Sequence, residues 1–218
     1  MGKYNSRKKK LIALTIIVAL QAQSVLPCCA AAVTPNNGAI VNNRNNVPVV
    51  DIVKPNANGL SHNKFTDFNV GKEGLVFNNV ANGQYNSVLA GQIAANNKLN
   101  GTPAKIILNE VTGGNISQLA GMMEIAGTKA DLIIANPNGI VGNGFGFINT
   151  NRATLTTGTP IINNNTLTGF NVTGGTVEIN GAGSSYPIDE ATGQYQYQPV
   201  SKLDIYANAA KINAELWA

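Results

Sequence analysis

Apolar residues along this chain come in short runs, four to six long, separated by polar text rich in Asn and Gly. Residues 104–109 (Ala-Lys-Ile-Ile-Leu-Asn) resemble 130–135 (Ala-Asp-Leu-Ile-Ile-Ala) at an offset of 26. Residues 133–136 resemble 205–208 at an offset of 72, three times 24. Between them, 152–156 and 176–180 repeat the pattern at similar intervals. Short strands recurring at a period of twenty-odd residues, with turn residues between, predict a stacked solenoid. A leucine-rich repeat needs a leucine ladder and a helical segment in every unit, and neither is present. The pattern predicts an all-β chain, a right-handed parallel β-helix with three strands and three turns per coil. Its Ile, Leu, Val and Ala positions point inward, and its Asn residues stack in ladders at the corners, amide to amide.

The flanks depart from this rhythm. Residues 33–58 are turn-rich, with short apolar pieces at 39–41 and 47–53, and Pro48 and Pro55 confine these to edges of an N-terminal cap. Residues 63–70 alternate, and 74–79 follow a turn at 71–74, which predicts a β-hairpin. Residues 184–202 carry Tyr186, Tyr195 and Tyr197 around a turn at 189–193 and predict a hairpin projecting from the solenoid. Strand-like text resumes at 203 and stops at Leu216-Trp217-Ala218 without a polar cap, so the domain is expected to be cut at its C-terminal end.

Composition sharpens the picture. Only 12% of residues are charged, while Asn numbers 32 and Gly 23 in a chain that is 44% apolar. Asn and Gly favour turns over helices, which excludes a helical bundle or coiled coil. The formal charge of +4 suggests nucleic acid, but Lys3, Arg7, Lys8, Lys9 and Lys10 all precede an apolar run at 11–20 and the small residues Ala30, Ala31 and Ala32. That is the plan of a secretory signal peptide. Residues 1–32 are the expected signal segment, with cleavage between Ala32 and Val33 and residues 33–218 as one mature domain. Cleavage there leaves 10 basic against 11 acidic residues, and the basic signal belongs to targeting. Both cysteines, Cys28 and Cys29, fall within the leader, and Pro27 argues against lipidation at Cys28. The mature chain then has no disulfide and relies on packing and backbone hydrogen bonds.

Seven motifs occur in order at 63–70, 74–79, 107–112, 117–121, 135–140, 146–150 and 153–158. Together they closely resemble the amino-terminal secretion domain of the filamentous haemagglutinin family, the exoproteins of two-partner secretion. The likeness spans about residues 38–215. It implies a β-helix with an N-terminal cap and extra-helical hairpins, exported by a partner outer-membrane β-barrel transporter with periplasmic domains. Of the family's two Asn-Pro-Asn turns, the second is intact as Asn136-Pro137-Asn138-Gly139-Ile140. Pro137 presets φ, and Asn138 and Gly139 suit a positive-φ corner. The first, usually Asn-Pro-Asn-Leu, reads Asn96-Asn97-Lys98-Leu99 and has lost its proline. The resemblance implies transporter recognition around these turns and Asn109-Glu110-Val111. Because the 96–99 turn has lost the proline that presets φ, secretion is expected to depend more on 136–140 than on it. Where many relatives carry two cysteines, this chain has Gly142 and Phe145, and Phe145 is expected to pack where their bridge would lie.

Other motifs yield to plain explanations. Glu110 lacks a second carboxylate at a telling spacing and is expected to bond backbone amides at a corner. His62 is the single histidine, which removes His-based triads and metal sites. No helix pattern follows the glycines at 142–146, so they form a turn and no dinucleotide loop. Asn-x-Ser/Thr triplets, among them those at 115, 164 and 171, are expected by chance among so many asparagines. The expectation is a non-enzymatic export module with no cofactor, metal, small-molecule substrate or nucleic-acid partner, secreted or held at the cell surface. The alternative is an adhesin that touches host or neighbour-cell surfaces through its tyrosine-bearing hairpin. A polysaccharide-active β-helix enzyme is remote, because the acids are scattered singly.

Overall fold

The recurring apolar runs become strands that stack coil upon coil on three faces. The computed structural model describes residues 33–184, 186–189, 191–198 and 200–216. The proposed leader, its cysteines and Trp217 lie outside the described residues. β1 (Val33–Pro35) is followed by a hairpin of β2 (Ile40–Arg44) and β3 (Val47–Asp51), then β4 (Leu60–Phe68) and β5 (Leu75–Asn79). A hairpin of β6 (Gln84–Ser87) and β7 (Gly91–Ala94) intervenes. Next come β8 (Ile106–Val111), β9 (Ser117–Leu119) and β10 (Met122–Gly127), then β11 (Ala130–Ala135), β12 (Ile140–Gly142) and β13 (Gly146–Ile148). β14 (Thr150–Thr156) leads into a hairpin of β15 (Thr159–Asn163) and β16 (Thr166–Asn171), then β17 (Thr176–Ile179). A short hairpin of β18 (Ile188–Asp189) and β19 (Gln194–Tyr195) precedes β20 (Leu203–Tyr206) and β21 (Ala209–Ile212).

The first face has the order β1-β4-β8-β11-β14-β20, the second β13-β10-β5-β3-β2 and the third β21-β17-β12-β9. From β4 onward the ladders within these faces are parallel, and the N-terminal cap supplies the antiparallel pairs β1–β4 and β2–β3. This is a parallel β-helix with cap strands and extra-helical hairpins. Its interior is one apolar column running through all the coils, from Phe65, Phe68 and Phe77 through Ile107, Leu132 and Ile134 to Leu155 and Val177.

The register differs by one residue from the repeat seen in the sequence. Ile107 pairs with Leu132, an offset of 25, and Ile134 with Leu155 and thence Ile205. A slip of one residue exchanges the faces of a strand, so Leu132 and Ile134 point inward while Ile133 points out. The outer apolar residues stay dry because hairpins fold over them, giving runs that are buried on both sides. The β15–β16 hairpin lays Ile162, Leu167 and Phe170 on Leu60, Leu108, Ile133 and Ala135. Its tip is tied down a full 106 to 109 residues upstream: Asn56 Nδ2 donates to Asn165 O (2.7 Å) and Asn58 Nδ2 to Thr166 Oγ1 (2.9 Å). The β6–β7 hairpin covers Val47, Val49, Val76 and Ala126 on the second face in the same way.

Three expectations are corrected. Residues 63–70 and 74–79 form no hairpin, because β4 and β5 belong to different faces of one coil. Tyr186 is no tip residue. Its ring is buried, and its hydroxyl accepts hydrogen bonds from the amides of Val200 (3.1 Å) and Phe147 (3.4 Å). The buried Asn amides mostly reach backbone carbonyls of the next coil, as Asn63 Nδ2 does to Leu108 O and Asn109 Nδ2 to Ile133 O. Amide-to-amide contact across coils occurs where Asn213 Nδ2 donates to Asn180 Oδ1 (3.2 Å).

Phe145 is part of the core. The ring is fully buried, lies edge-on to Phe147 at 5.8 Å, and presses against the Cα of Gly142. A Cβ at residue 142 would stand 2.4 Å from Phe145 Cε1. Gly142→Ala is therefore expected to destabilise the fold by about 2 kcal/mol through overpacking. Chemical denaturation checks this, and adding Phe145→Leu should restore part of the loss in a double-mutant cycle.

Candidate functional site

The corner at 136–140 is built around one buried side chain. Asn136 follows β11 and extends its ladder, its amide donating to Thr156 O at 2.9 Å. The side chain is fully buried. Its Nδ2 donates to Ser117 Oγ (2.9 Å) and Asn115 O (3.0 Å), both on the corner one coil below. Its Oδ1 accepts from the backbone amide and the Nδ2 of Asn138, each at 3.0 Å. Gly139 N donates to Asn136 O (3.1 Å), closing a turn with Pro137 and Asn138 at its centre. Only Gly139 has a positive φ, +129°, whereas Asn138 stays in the ordinary region, contrary to the expectation that both would share it. A Cβ at 139 would also crowd Thr176 O at 3.1 Å. Asn138 is exposed and donates from Nδ2 to Gly113 O (2.7 Å), and Ile140 is buried between Ser117 and Val177.

The altered turn at 96–99 keeps the same architecture. Asn96 is buried, its Oδ1 accepts from Lys98 N (3.0 Å), and Leu99 N donates to Asn96 O (3.0 Å). Its Nδ2 donates to Ile52 O (2.9 Å) and Asn78 O (3.1 Å). Residues Asn97–Leu99 form one 3-10 turn, ended by Asn100 at φ +50°, and Leu99 is wholly buried. The side-chain bond of Asn96 closes this turn, and the missing proline is not needed for its shape. Lys98 reaches from here to the cap, its Nζ donating to Gly38 O at 2.7 Å. Asn97 is exposed.

Residues 109–111 lie on β8, beside the strand that leads into the 136 corner, since Glu110 pairs with Ala135. Val111 points into the core. Asn109 is buried on the same inward face, and among the described residues its Oδ1 is the one buried side-chain polar atom without a partner. Glu110 points outward and bonds side chains, where backbone amides were expected. His62 Nε2 lies 2.7 Å and Lys64 Nζ 3.7 Å from its carboxylate. The structure thus brings together 109–111 and 136–140, while 96–99 sits at a separate corner, where the second face passes to the first.

The hydrogen bond from His62, with the nearby charge of Lys64, holds the Glu110 carboxyl below its ordinary pKa against the opposing effect of burial. A carboxyl lowered on folding adds stability above its unfolded pKa, about 4.3, that is lost as pH falls through the folded value. Glu110→Gln should cost about 1 kcal/mol at neutral pH. That difference should shrink toward zero as denaturation is repeated at progressively lower pH through the acid range.

What the sequence did not disclose is the second partner of each corner. Ser117 and Asn115 under Asn136, and Asn78 and Ile52 under Asn96, are joined to it only by coil stacking. The hairpin at 159–171 did leave a signal, the pair Asn164-Asn165 between two strand-like runs. Both adopt positive φ, +49° and +61°, as Asn45 and Asn46 do in the cap hairpin.

Residues 29–218 match the TPS secretion domain family. The chain belongs to this family. The TPS secretion domain is the secretion-targeting module of two-partner secretion exoproteins, which engage an outer-membrane transporter as their second partner. The crystal structure of the filamentous hemagglutinin secretion domain superposes with a TM-score of 0.68 at 37% identity, covering 85% of this chain and 59% of that one. A tRNA nuclease CdiA of Escherichia coli is 45% identical over 213 residues, 96% of this chain and 6% of the relative. A hemolysin of Serratia marcescens is 44% identical over 175 residues, 79% of this chain and 11% of the relative. The chain thus spans a small fraction of the length of the curated relatives it matches. These relatives are two-partner secreted exoproteins found at the cell surface or released.

Proposed function

We propose that this TPS secretion domain acts without enzymatic activity, as the address by which a partner outer-membrane β-barrel selects its exoprotein in the periplasm. Residues 1–32 serve as the signal peptide, and the mature domain, 33–218, begins at Val33. The transporter's periplasmic domains read the surface formed by the stacked corners at 109–117 and 136–140. The observation that carries this proposal is the family match across residues 29–218 of a chain that aligns with only 6% to 11% of its large exported relatives. Glu110, the one acid singled out for chemistry, is occupied by His62 and Lys64 and serves the fold. Direct adhesion through the hairpin at 184–202 loses support because Tyr186 is buried.

The test is secretion from cells that express the partner barrel. Ile116 is 46% exposed and its Cγ2 lies beside Gly139, so Ile116→Asp alters the corner's surface while leaving its hydrogen bonds intact. Secretion of this variant is expected to fall severalfold with stability unchanged, and Asn97→Ala is expected to be secreted normally. Greater damage from the Asn97 change would overturn the assignment. Amino-terminal sequencing of the secreted protein should read from Val33.

A further inference from the structure

Between the β15–β16 hairpin and the first face lies a groove of about 400 Å³ that the secretion role does not use. Its volume falls in the range of ligand sites. Ile106 and Ile133 form the floor, Leu167 and Phe170 the wall, and Tyr206 closes one end. Tyr206 stacks on Phe170 at 5.9 Å and remains 43% exposed. Two charged side chains enter the groove, Asp131 and Arg152, and their situations differ. Arg152 is engaged: its Nε donates to the Asp204 carboxylate and its Nη2 to Tyr206 Oη (3.4 Å). Lys202 adds a second cation to Asp204, at 3.4 Å. The Asp131 carboxylate accepts no hydrogen bond and makes no ion pair among the described residues. Burial raises its pKa, and the charge of Arg152 only partly opposes this.

We propose that this groove binds an aliphatic cation, the side chain of a lysine presented by a partner peptide segment. The methylenes lie along Ile106, Ile133 and Leu167, as long cationic side chains do on apolar surface. The ammonium meets the unengaged carboxylate of Asp131, with the rings of Phe170 and Tyr206 adding cation–π attraction. A neutral apolar ligand would leave Asp131 desolvated and unpaired, and an anion would be repelled by it. Asp204 holds both Arg152 and Lys202, so Asp131 is the charged group of the groove left without an ion-pair partner among the described residues. This site is independent of the transporter corner, and its failure would leave the proposed export role untouched.

The experiment is an NMR titration of the purified protein with Nα-acetyl-lysine methylamide, its arginine analogue and the uncharged norleucine analogue. The lysine probe should shift the backbone amides of Asp131, Thr168, Gly169 and Phe170 saturably, and norleucine should not. The arginine probe binding as well as lysine would overturn the choice of lysine. Asp131→Asn should weaken lysine binding about tenfold, as loss of one charged partner does. Arg152→Gln should strengthen it severalfold, since the guanidinium that opposes the ligand's charge beside Asp131 is then gone while Asp204 keeps Lys202. Equal shifts with norleucine would reduce the groove to an apolar hollow and overturn the proposal. So would lysine binding that survives in Asp131→Asn. A methyl glycoside that shifts the same amides, and binds more weakly to Arg152→Gln, would overturn it in favour of a sugar site. The lysine–norleucine comparison needs no variant and stands even if a substitution impairs folding.

Discussion

Asn136→Ala is expected to lower stability by about 3 kcal/mol, and Asn96→Ala by a similar amount, while Asn97→Ala changes it by less than about 0.5 kcal/mol. Each buried asparagine joins two coils. The Asn136 amide donates to Asn115 O and Ser117 Oγ on the corner below, and its oxygen holds the amide of Asn138 in the turn above. Alanine leaves those acceptors dry and unpaired, opens a cavity and releases the turn in one step. Asn96 binds Ile52 O and Asn78 O and caps its own turn through Lys98 N. Because Asn97 is exposed, truncating it is expected to disturb neither turn. Denaturation midpoints of the three variants check the ranking. If Asn97→Ala ranked beside the others, the equivalence of the two corners would fail. Replacing Asn97 by proline, the residue the turn lacks, should be tolerated, since its side chain stands in solvent and its amide donates no hydrogen bond among the described residues.

The sequence disclosed the solenoid, the cap and the Asn136 turn because each rests on local signals. Short β-branched runs, Asn-Gly punctuation and a single Asn-Pro-Asn are readable within a few residues. It misplaced the register by one, because the runs 106–108 and 132–135 are apolar at every position and carry no alternation to tell inside from outside. The apolar outer residues exist because hairpins from 84–94 and 159–171 cover them, and that pairing depends on contacts between residues tens of positions apart. The loss of Pro137's counterpart at 97 removes a preset φ. The turn keeps its shape nonetheless, since Asn96 sets the geometry with its own side chain, a contribution that residue type alone does not reveal. Asn115 and Ser117 became legible as partners only once the coils were stacked.

Glu124 shows the same dependence on stacking and carries the other large expected effect. It lies on β10, level with Val76 and Val49, on the outer side of the second face. Its carboxylate is fully buried at the base of the β6–β7 hairpin. Oε2 accepts from Ser87 Oγ (2.7 Å) and Leu89 N (3.0 Å), and Oε1 from Val88 N (3.0 Å). Ser87 Oγ in turn accepts from Ala90 N at 2.9 Å, so one carboxylate organises the whole turn from 87 to 90. Charge-assisted bonds to a buried carboxylate are among the stronger ones in proteins. Glu124→Gln keeps the shape but turns an amide N–H₂ toward a hydrogen-bond donor, and it should cost about 3 kcal/mol. Glu124→Leu leaves all three donors unpaired and should cost as much or more. The damage should begin locally. The hairpin lifts, Val47, Val49, Val76 and Ala126 lose their cover, and amide exchange rises at Gln84–Ala94 before the coils around Leu132 and Leu155 respond. Hydrogen exchange resolved by residue, together with binding of an apolar dye, reads both steps. Uniform loss of protection along the chain, with no early opening of 84–94, would show that Glu124 supports the coils themselves and does not merely anchor the hairpin.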